Sequence, residues 1–162
     1  MVEEAAVTPL LAQDYDELAV GSTQTTRGRT IGESDLINWC STTGDWFPLH
    51  SDAVYASTTM FGERIAPGVM VLAYITGLGV PADSKTILAN YGFERVRFPK
   101  ATKIGDTVKL EIRVAELQDR DESTGIATFD WNGLNQNGDV VCASQIKVLM
   151  ARGSQVRADG RV

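Results

Sequence analysis

The chain has one histidine, His50, and an aspartate five residues before it, Asp45, in the stretch GDWFPLHSDAVYA. A carboxylate and an imidazole on an irregular segment broken by Pro48 can converge on one small site. There they could hold a water molecule and exchange protons with it near neutral pH. The same residue types also suit a plainer role, a structural histidine with an aspartate capping a turn, and alone they leave both roles open. Further on, IAPG (Ile65 to Gly68) opens the most apolar segment of the chain. A glycine at a helix start keeps its backbone N–H free, with the positive end of the helix dipole behind it. Such a donor can polarise a carbonyl and stabilise the oxyanion or enolate formed from it. The plainer role for Pro67 and Gly68 is simply to begin a helix. Thr76, two helical turns later, can offer a hydroxyl to a ligand or bond back to its own helix, and the second use is favoured.

These groups need a scaffold, and the rest of the chain supplies its pattern. Residues 18–29 mix small and β-branched side chains and read as a first strand after a turn at Gly21. The stretch GESDLINWCSTTG reads as a helix, with Ser34 as cap, Glu33 and Asp35 at its positive end and Gly44 at its C-terminus. Pro48 makes residues 45–50 a loop, and residues 51–58 suit a short helix. Residues 68–78 form the best helix, apolar nearly all round and so destined for the interior. Residues 86–99, 107–117, 125–134 and 140–150 alternate as strands, the last two joined by the turn residues Asn135 to Asp139. Consecutive strands with short turns imply an antiparallel sheet covered on one side by the apolar helix. The expected class is α+β, one domain over residues 1–150 with a polar tail over 151–162 and a polar, irregular lead-in over 1–15. Uncovered edges and apolar surface favour a homodimer.

Composition narrows the partners. With 162 residues, 43% of them hydrophobic and 22% charged, the chain can bury a real core. Fifteen basic against twenty-one acidic residues leave a net charge of −6, which argues against a nucleic-acid partner. A small anion could still meet the local cluster Arg95, Arg97, Lys100 and Lys103. The longest apolar run, Val69 to Tyr74, is far short of the ~20 residues that cross a bilayer, so no membrane partner is expected. The acidic start MVEEAAVTPL is unlike a secretory signal. Cys40 and Cys142 fit reduced core residues of a cytoplasmic protein.

The motifs together resemble a family. GDWFPLHSDAVYA, then FGERIAPG, then the apolar helix, is similar to the MaoC-like (R)-specific enoyl-CoA hydratases of the hot-dog fold. Their motif is approximately Gly-Asp-x-Asn-Pro-x-His-x-Asp, followed by Phe-Gly, Ile-Ala-His-Gly and the long helix. The resemblance continues through FERVRFPKATKIGDTVKLEIRV, matching a strand pair joined by the turn Ile104, Gly105, Asp106, and covers roughly residues 20–150. It implies a sheet wrapped around a central helix and reversible addition of water to a trans-2-enoyl-CoA. Asp45 and His50 would be the catalytic pair. Gly68 would supply the amide that binds the thioester oxygen, and Thr76 would fall where some members contact the ligand.

Two residues depart from that pattern: Phe47 stands where Asn is usual, and Pro67 where His is usual. Neither removes a catalytic group. Trp39, Trp46, Phe47, Phe61 and Pro67 would shape the acyl pocket, and Arg97 and Lys100 would meet coenzyme A phosphates. The implied reaction needs no metal or redox cofactor. Its rivals are a hot-dog thioesterase and a non-catalytic subunit of a heterodimeric hydratase.

Overall fold

The structure, a computed structural model, describes residues 8–82 and 84–153. Residues 1–7 and 154–162, which hold just under half of the expected lead-in and most of the expected tail, lie outside the described residues. Six strands form one antiparallel sheet: β1 (Thr23–Thr25), β2 (Arg29–Thr30), β3 (Ile87–Arg97), β4 (Thr107–Asp119), β5 (Thr124–Leu134) and β6 (Val140–Ala151). Among the described residues four α-helices accompany them: α1 (Glu33–Thr43), α2 (Pro48–Ser51), α3 (Ala53–Ser57) and α4 (Gly68–Gly79). The strand order is β1-β4-β5-β6-β3, with β2 also paired to β4. With α4 packed against β4, β5 and β6, this is the hot-dog arrangement, and it agrees with the α+β expectation.

Alternation explains the layers. On β4 the side chains of Val108, Leu110, Ile112 and Val114 are wholly buried, while the residues between them face outward. Ala127, Phe129 and Trp131 of β5, and Cys142, Ile146, Val148 and Met150 of β6, complete the inner face. Met70, Val71 and Ile75 of α4 pack into it. The helix approaches so closely that a Cβ on Gly79 would stand 2.5 Å from both Leu110 and Trp131.

Several expectations need correction. The expected single strand over 18–29 is two short strands, because the chain leaves the sheet at Thr26, whose N–H and Oγ1 both bond to Leu110. Strands β3 and β4 are not neighbours, since β3 lies at the far edge against β6. Residues 98–106 therefore cross the molecule instead of making a hairpin, and turn at Gly105, whose φ is +95°. Three register shifts interrupt β3, with Arg95 at φ +53° in the last, so its expected alternation fails. Such breaks suit an exposed edge.

The cap of α1 is Gly32, not Ser34: the Asp35 carboxylate accepts from the Gly32 N–H at 2.8 Å. Gly44 closes the helix in the left-handed region, at φ +78°. Residues 45–50 are not all loop, because Pro48 sits at the first position of α2, where its missing N–H costs nothing. The lead-in is not polar and irregular throughout. Leu10, Leu11, Tyr15 and Leu18 are buried in two 3₁₀ turns and the residue after the second. At the other end β6 runs to Ala151, and Arg152 pairs with Asp16 and Asp119. Cys40 and Cys142 are free and buried.

Candidate active site

Two short backbone bridges build the site. The segment before α4 is tied to α2 through Ile65 N–H to the Leu49 carbonyl at 3.3 Å. On its other side it meets the crossing segment, where Ala66 N–H donates to the Thr102 carbonyl at 2.8 Å and Ile65 pairs with Lys103. Arg64 clamps Glu33 with two hydrogen bonds, tying the turn before Ile65 to the start of α1. That contact also holds the Glu33 carboxyl below its usual range.

His50 is set by this frame. Its Nδ1 lies 2.8 Å from the Ile65 carbonyl oxygen. A carbonyl only accepts, so Nδ1 carries the proton and Nε2 of the neutral ring is left as the acceptor. The Phe47 ring stands edge-on to the imidazole, with centroids 5.9 Å apart.

His50 opens onto a cavity of about 350 Å³. Its buried wall is Ile65, Ala66, Val71, Thr102 and Val141; nearer the surface are Met60, Phe61, Gly68, Phe98, Pro99, Lys100 and Ala101. Gly68 is the first residue of α4, so its N–H has no partner within the helix. As the Phe98 ring stands, a Cβ here would lie 2.5–2.8 Å from its carbons. This cavity is a mostly apolar slot with an imidazole and a helix-start amide in its wall. Such a slot suits an acyl chain with a carbonyl at one end.

The structure thus brings together His50, Gly68, Phe61 and Lys100 of the expected site residues. Asp45 is exposed just after Gly44, outside the cavity wall, and its N–H donates to Thr43 Oγ1 at 3.2 Å. Burial pushes the Cys40 thiol up, and the Asp45 carboxylate adds to the effect. Trp46 and Phe47 are about half exposed beyond the rim, and Trp39 packs against the core rather than the cavity. Pro67 is the buried N-cap of α4, its carbonyl accepting from Val71 N–H at 3.1 Å. The Thr76 hydroxyl is spent on the Leu72 carbonyl at 2.8 Å, the plainer of its two uses.

The basic cluster does not form one patch at the cavity. Arg97 is exposed and bonds the Val96 carbonyl, while Lys100 pairs with Asp139 and Lys103 with Glu63, each at 2.6 Å. Only Lys100 of the four lines the cavity. Sequence reasoning missed Thr102 and Phe98 as wall residues, and the Ile65 carbonyl as the anchor of His50. The crossing of residues 98–106 brings the first two there, and nothing in the local pattern announces it.

Residues 17–131 match the MaoC like domain, and the chain belongs to that family. It is 33% identical over 124 residues to Protein MaoC of Klebsiella aerogenes, covering 74% of this chain and 36% of that protein. It is 31% identical over 106 residues to a 3-hydroxybutyryl-CoA dehydratase of Methylorubrum extorquens, covering 64% of each. The chain thus spans about a third of the first relative and just under two thirds of the second. Among solved structures, an unliganded R-hydratase from Pseudomonas aeruginosa superposes with a TM-score of 0.70 at 32% identity, covering 87% of this chain and 86% of that one. A Mycobacterium tuberculosis protein with a double hot-dog fold gives 0.77 at 18% identity, covering 96% and 53%, a likeness of fold alone. Hydratases and dehydratases recur among these names.

Proposed function

We propose that this chain adds water reversibly to the 2,3 double bond of a trans-2-enoyl-CoA, giving the (R)-3-hydroxyacyl thioester, or removes it in reverse. The observation that carries this reading is the His50 ring, held by the Ile65 carbonyl at 2.8 Å with Nε2 as its acceptor, in a cavity that also contains the Gly68 helix start. Nε2 takes a proton from water as its oxygen bonds C3, and the imidazolium so formed returns that proton to C2. The electron pair of the double bond passes through the thioester, and the charge gathering on its oxygen is met by the Gly68 N–H. Asp45 is the second group proposed to hold the water, from the exposed turn before α2. Phe61 flanks the acyl chain, Met60 and Phe98 stand at the open side of the cavity, and Lys100 would exchange Asp139 for a coenzyme A phosphate, with Arg97 nearby in sequence. No metal or redox chemistry is called for.

Exposed apolar side chains surround this site, among them Phe47, Val54, Tyr55, Met60 and Val69. A second copy of the chain is the proposed cover, forming a homodimer. A subunit that completes its site only with a related chain is the second reading, favoured by the position of Asp45 off the cavity wall. The thioesterase reading is weaker, because α4 has no carboxylate in its sequence GVMVLAYITGLG.

The test is absorbance of the conjugated enoyl group with crotonyl-CoA and a longer enoyl-CoA, with free thiol followed in parallel and the product resolved by chirality. Loss of absorbance without thiol supports the hydratase. Thiol release moves the chain to the thioesterases, and silence on both moves it to the subunit reading.

A further inference from the structure

The His50 side chain takes its bearing from the Ile65 carbonyl, so whatever holds Ile65 also sets the imidazole. The chain just before Ile65 has little structure of its own. Residues 60–64 belong to no helix or strand, Gly62 turns at φ +72°, and Met60 is 92% exposed. The Ile65 N–H meets the Leu49 carbonyl at 3.3 Å, a long bond, and the next residue is tied through Ala66 N–H to Thr102 at 2.8 Å.

Side chains supply further ties. Glu63 pairs with Lys103 at 2.6 Å, but both side chains are about half exposed, and such single pairs hold little. Arg64 is different. Its side chain is 17% exposed, and its two terminal nitrogens donate to different oxygens of Glu33, at 2.8 and 2.5 Å. A two-pronged bond of this kind fixes direction as well as distance. Glu33 is the first residue of α1, and Asp45 follows Gly44, the cap that closes that helix. Arg64 and Asp45 both lie near enough to Cys40 of α1 to act on its thiol, in opposite directions. The helix thus carries Asp45 beyond one end and grips the anchor of His50 from the other.

Resting on the hydratase reading, we infer that Glu33 and Arg64 are positioning residues for the reaction. Their clamp holds the Ile65 carbonyl, and with it the His50 ring, in a fixed place relative to the end of α1 that carries Asp45. Neither side chain lines the cavity, so both act through His50 and not on the substrate. Without the clamp, the turn over residues 60–64 lets Ile65 drift. Nδ1–H then loses its acceptor, and Nε2 swings off the water. Misplacing a reacting group by about 1 Å can cost roughly a hundredfold in rate. Thioester binding, which belongs to the cavity, is left as it was.

The experiment takes Glu33→Gln, Arg64→Lys and the double variant, with crotonyl-CoA as substrate, after circular dichroism and unfolding midpoints have shown each to be folded. His50 is the only histidine of the chain, so its ring nitrogens give one set of NMR signals. Each single variant should lose about tenfold to a hundredfold in kcat, with KM within about twofold. Unfolding midpoints should barely move, because Glu33 is more than half exposed. The double variant should be little worse than either single one, as for two residues acting as a unit. In the same variants the neutral ring should shift from the Nδ1–H form toward the Nε2–H form.

Unchanged kcat and ring signals in both single variants overturn the role of the clamp. So does a loss of kcat with the ring signals of the wild type, or losses that simply add in the double variant. A wild type that hydrates no enoyl-CoA overturns the hydratase reading and the reaction this clamp would serve, while the ring signals still show whether the clamp holds His50.

Discussion

His50 and Ile65 are joined side chain to backbone, Nδ1–H to carbonyl at 2.8 Å, across fifteen residues of sequence. The bond fixes both the ring's orientation and the tautomer that leaves Nε2 as the acceptor. His50→Ala should therefore lower kcat for enoyl-CoA hydration by about a thousandfold or more, around 4 kcal/mol of transition-state stabilisation, with the fold intact by circular dichroism. Nitrogen NMR of the ring should show Nδ1 protonated in the neutral form. Near-normal turnover by this variant would remove His50 from the mechanism.

Asp45 is tested apart from His50, because the structure places it outside the cavity wall. If it shares the water, Asp45→Asn costs kcat on the order of a thousandfold as well, since the amide keeps the shape and loses the charge. A loss below tenfold would leave His50 and the Gly68 amide as the reacting groups and return Asp45 to the surface.

Gly68 faces a steric condition that its backbone role does not reveal. Gly68→Ala brings its Cβ to within 2.8 Å of the Phe98 ring, which is 41% exposed and can swing. Stability should change little, while kcat/KM falls because the displaced ring enters the acyl space. Phe98→Ala in the same chain should recover part of the loss, giving a coupling between the two sites in a double-mutant cycle. Simple additivity would show that Phe98 is not what limits the variant.

Much of this was legible in the sequence, for physical reasons that differ by element. The helix from Gly68 announces itself by its apolar run. Only one face of it (Met70, Val71, Ile75 and Gly79) is buried and Val69 is exposed, so the expected all-round burial is not found. Strand β4 announces itself because Val108 to Val114 alternate without a break. The Asp–His motif was visible as a pattern, yet the pattern could not tell that Asp45 would stand off the cavity wall. Thr102 was illegible: it sits on a crossing segment whose path depends on β3 pairing with β6, a contact about fifty residues away. Leu10, Leu11 and Tyr15 were misread because a few buried residues in 3₁₀ turns make no period.

Two glycines at the end of α4 should respond oppositely to the same change. A Cβ at Gly77 meets nothing within 4 Å, and the residue is exposed within the helix. Gly77→Ala should stabilise by about 0.5–1 kcal/mol through helix propensity. Gly79→Ala drives its Cβ into Leu110 and the wholly buried Trp131, and should destabilise by roughly 1–3 kcal/mol. Urea unfolding midpoints at constant slope would measure both, and similar values for the two would contradict the close approach of α4 to the sheet.

Tyr15 ties the N-terminal 3₁₀ turns to the β4–β5 hairpin and gives the fold an alkaline limit. Its ring packs on Gly125, where a Cβ would stand 2.4 Å from it, and its hydroxyl donates to Asp119 at 3.1 Å. Burial, and then the hydrogen bond to Asp119, push the phenol up to about 12, with nearby Arg152 opposing in part. A phenol that titrates higher in the folded state than its ordinary value of about 10 stabilises the fold fully below pH ~10. That contribution declines as the pH rises from 10 towards 12, because the unfolded chain releases its proton first. Tyr15→Phe cannot ionise, so its unfolding midpoint should be flatter than the wild type's over this window, and the two curves should run parallel at neutral pH. Curves parallel throughout would mean that Tyr15 loses its proton as easily folded as unfolded.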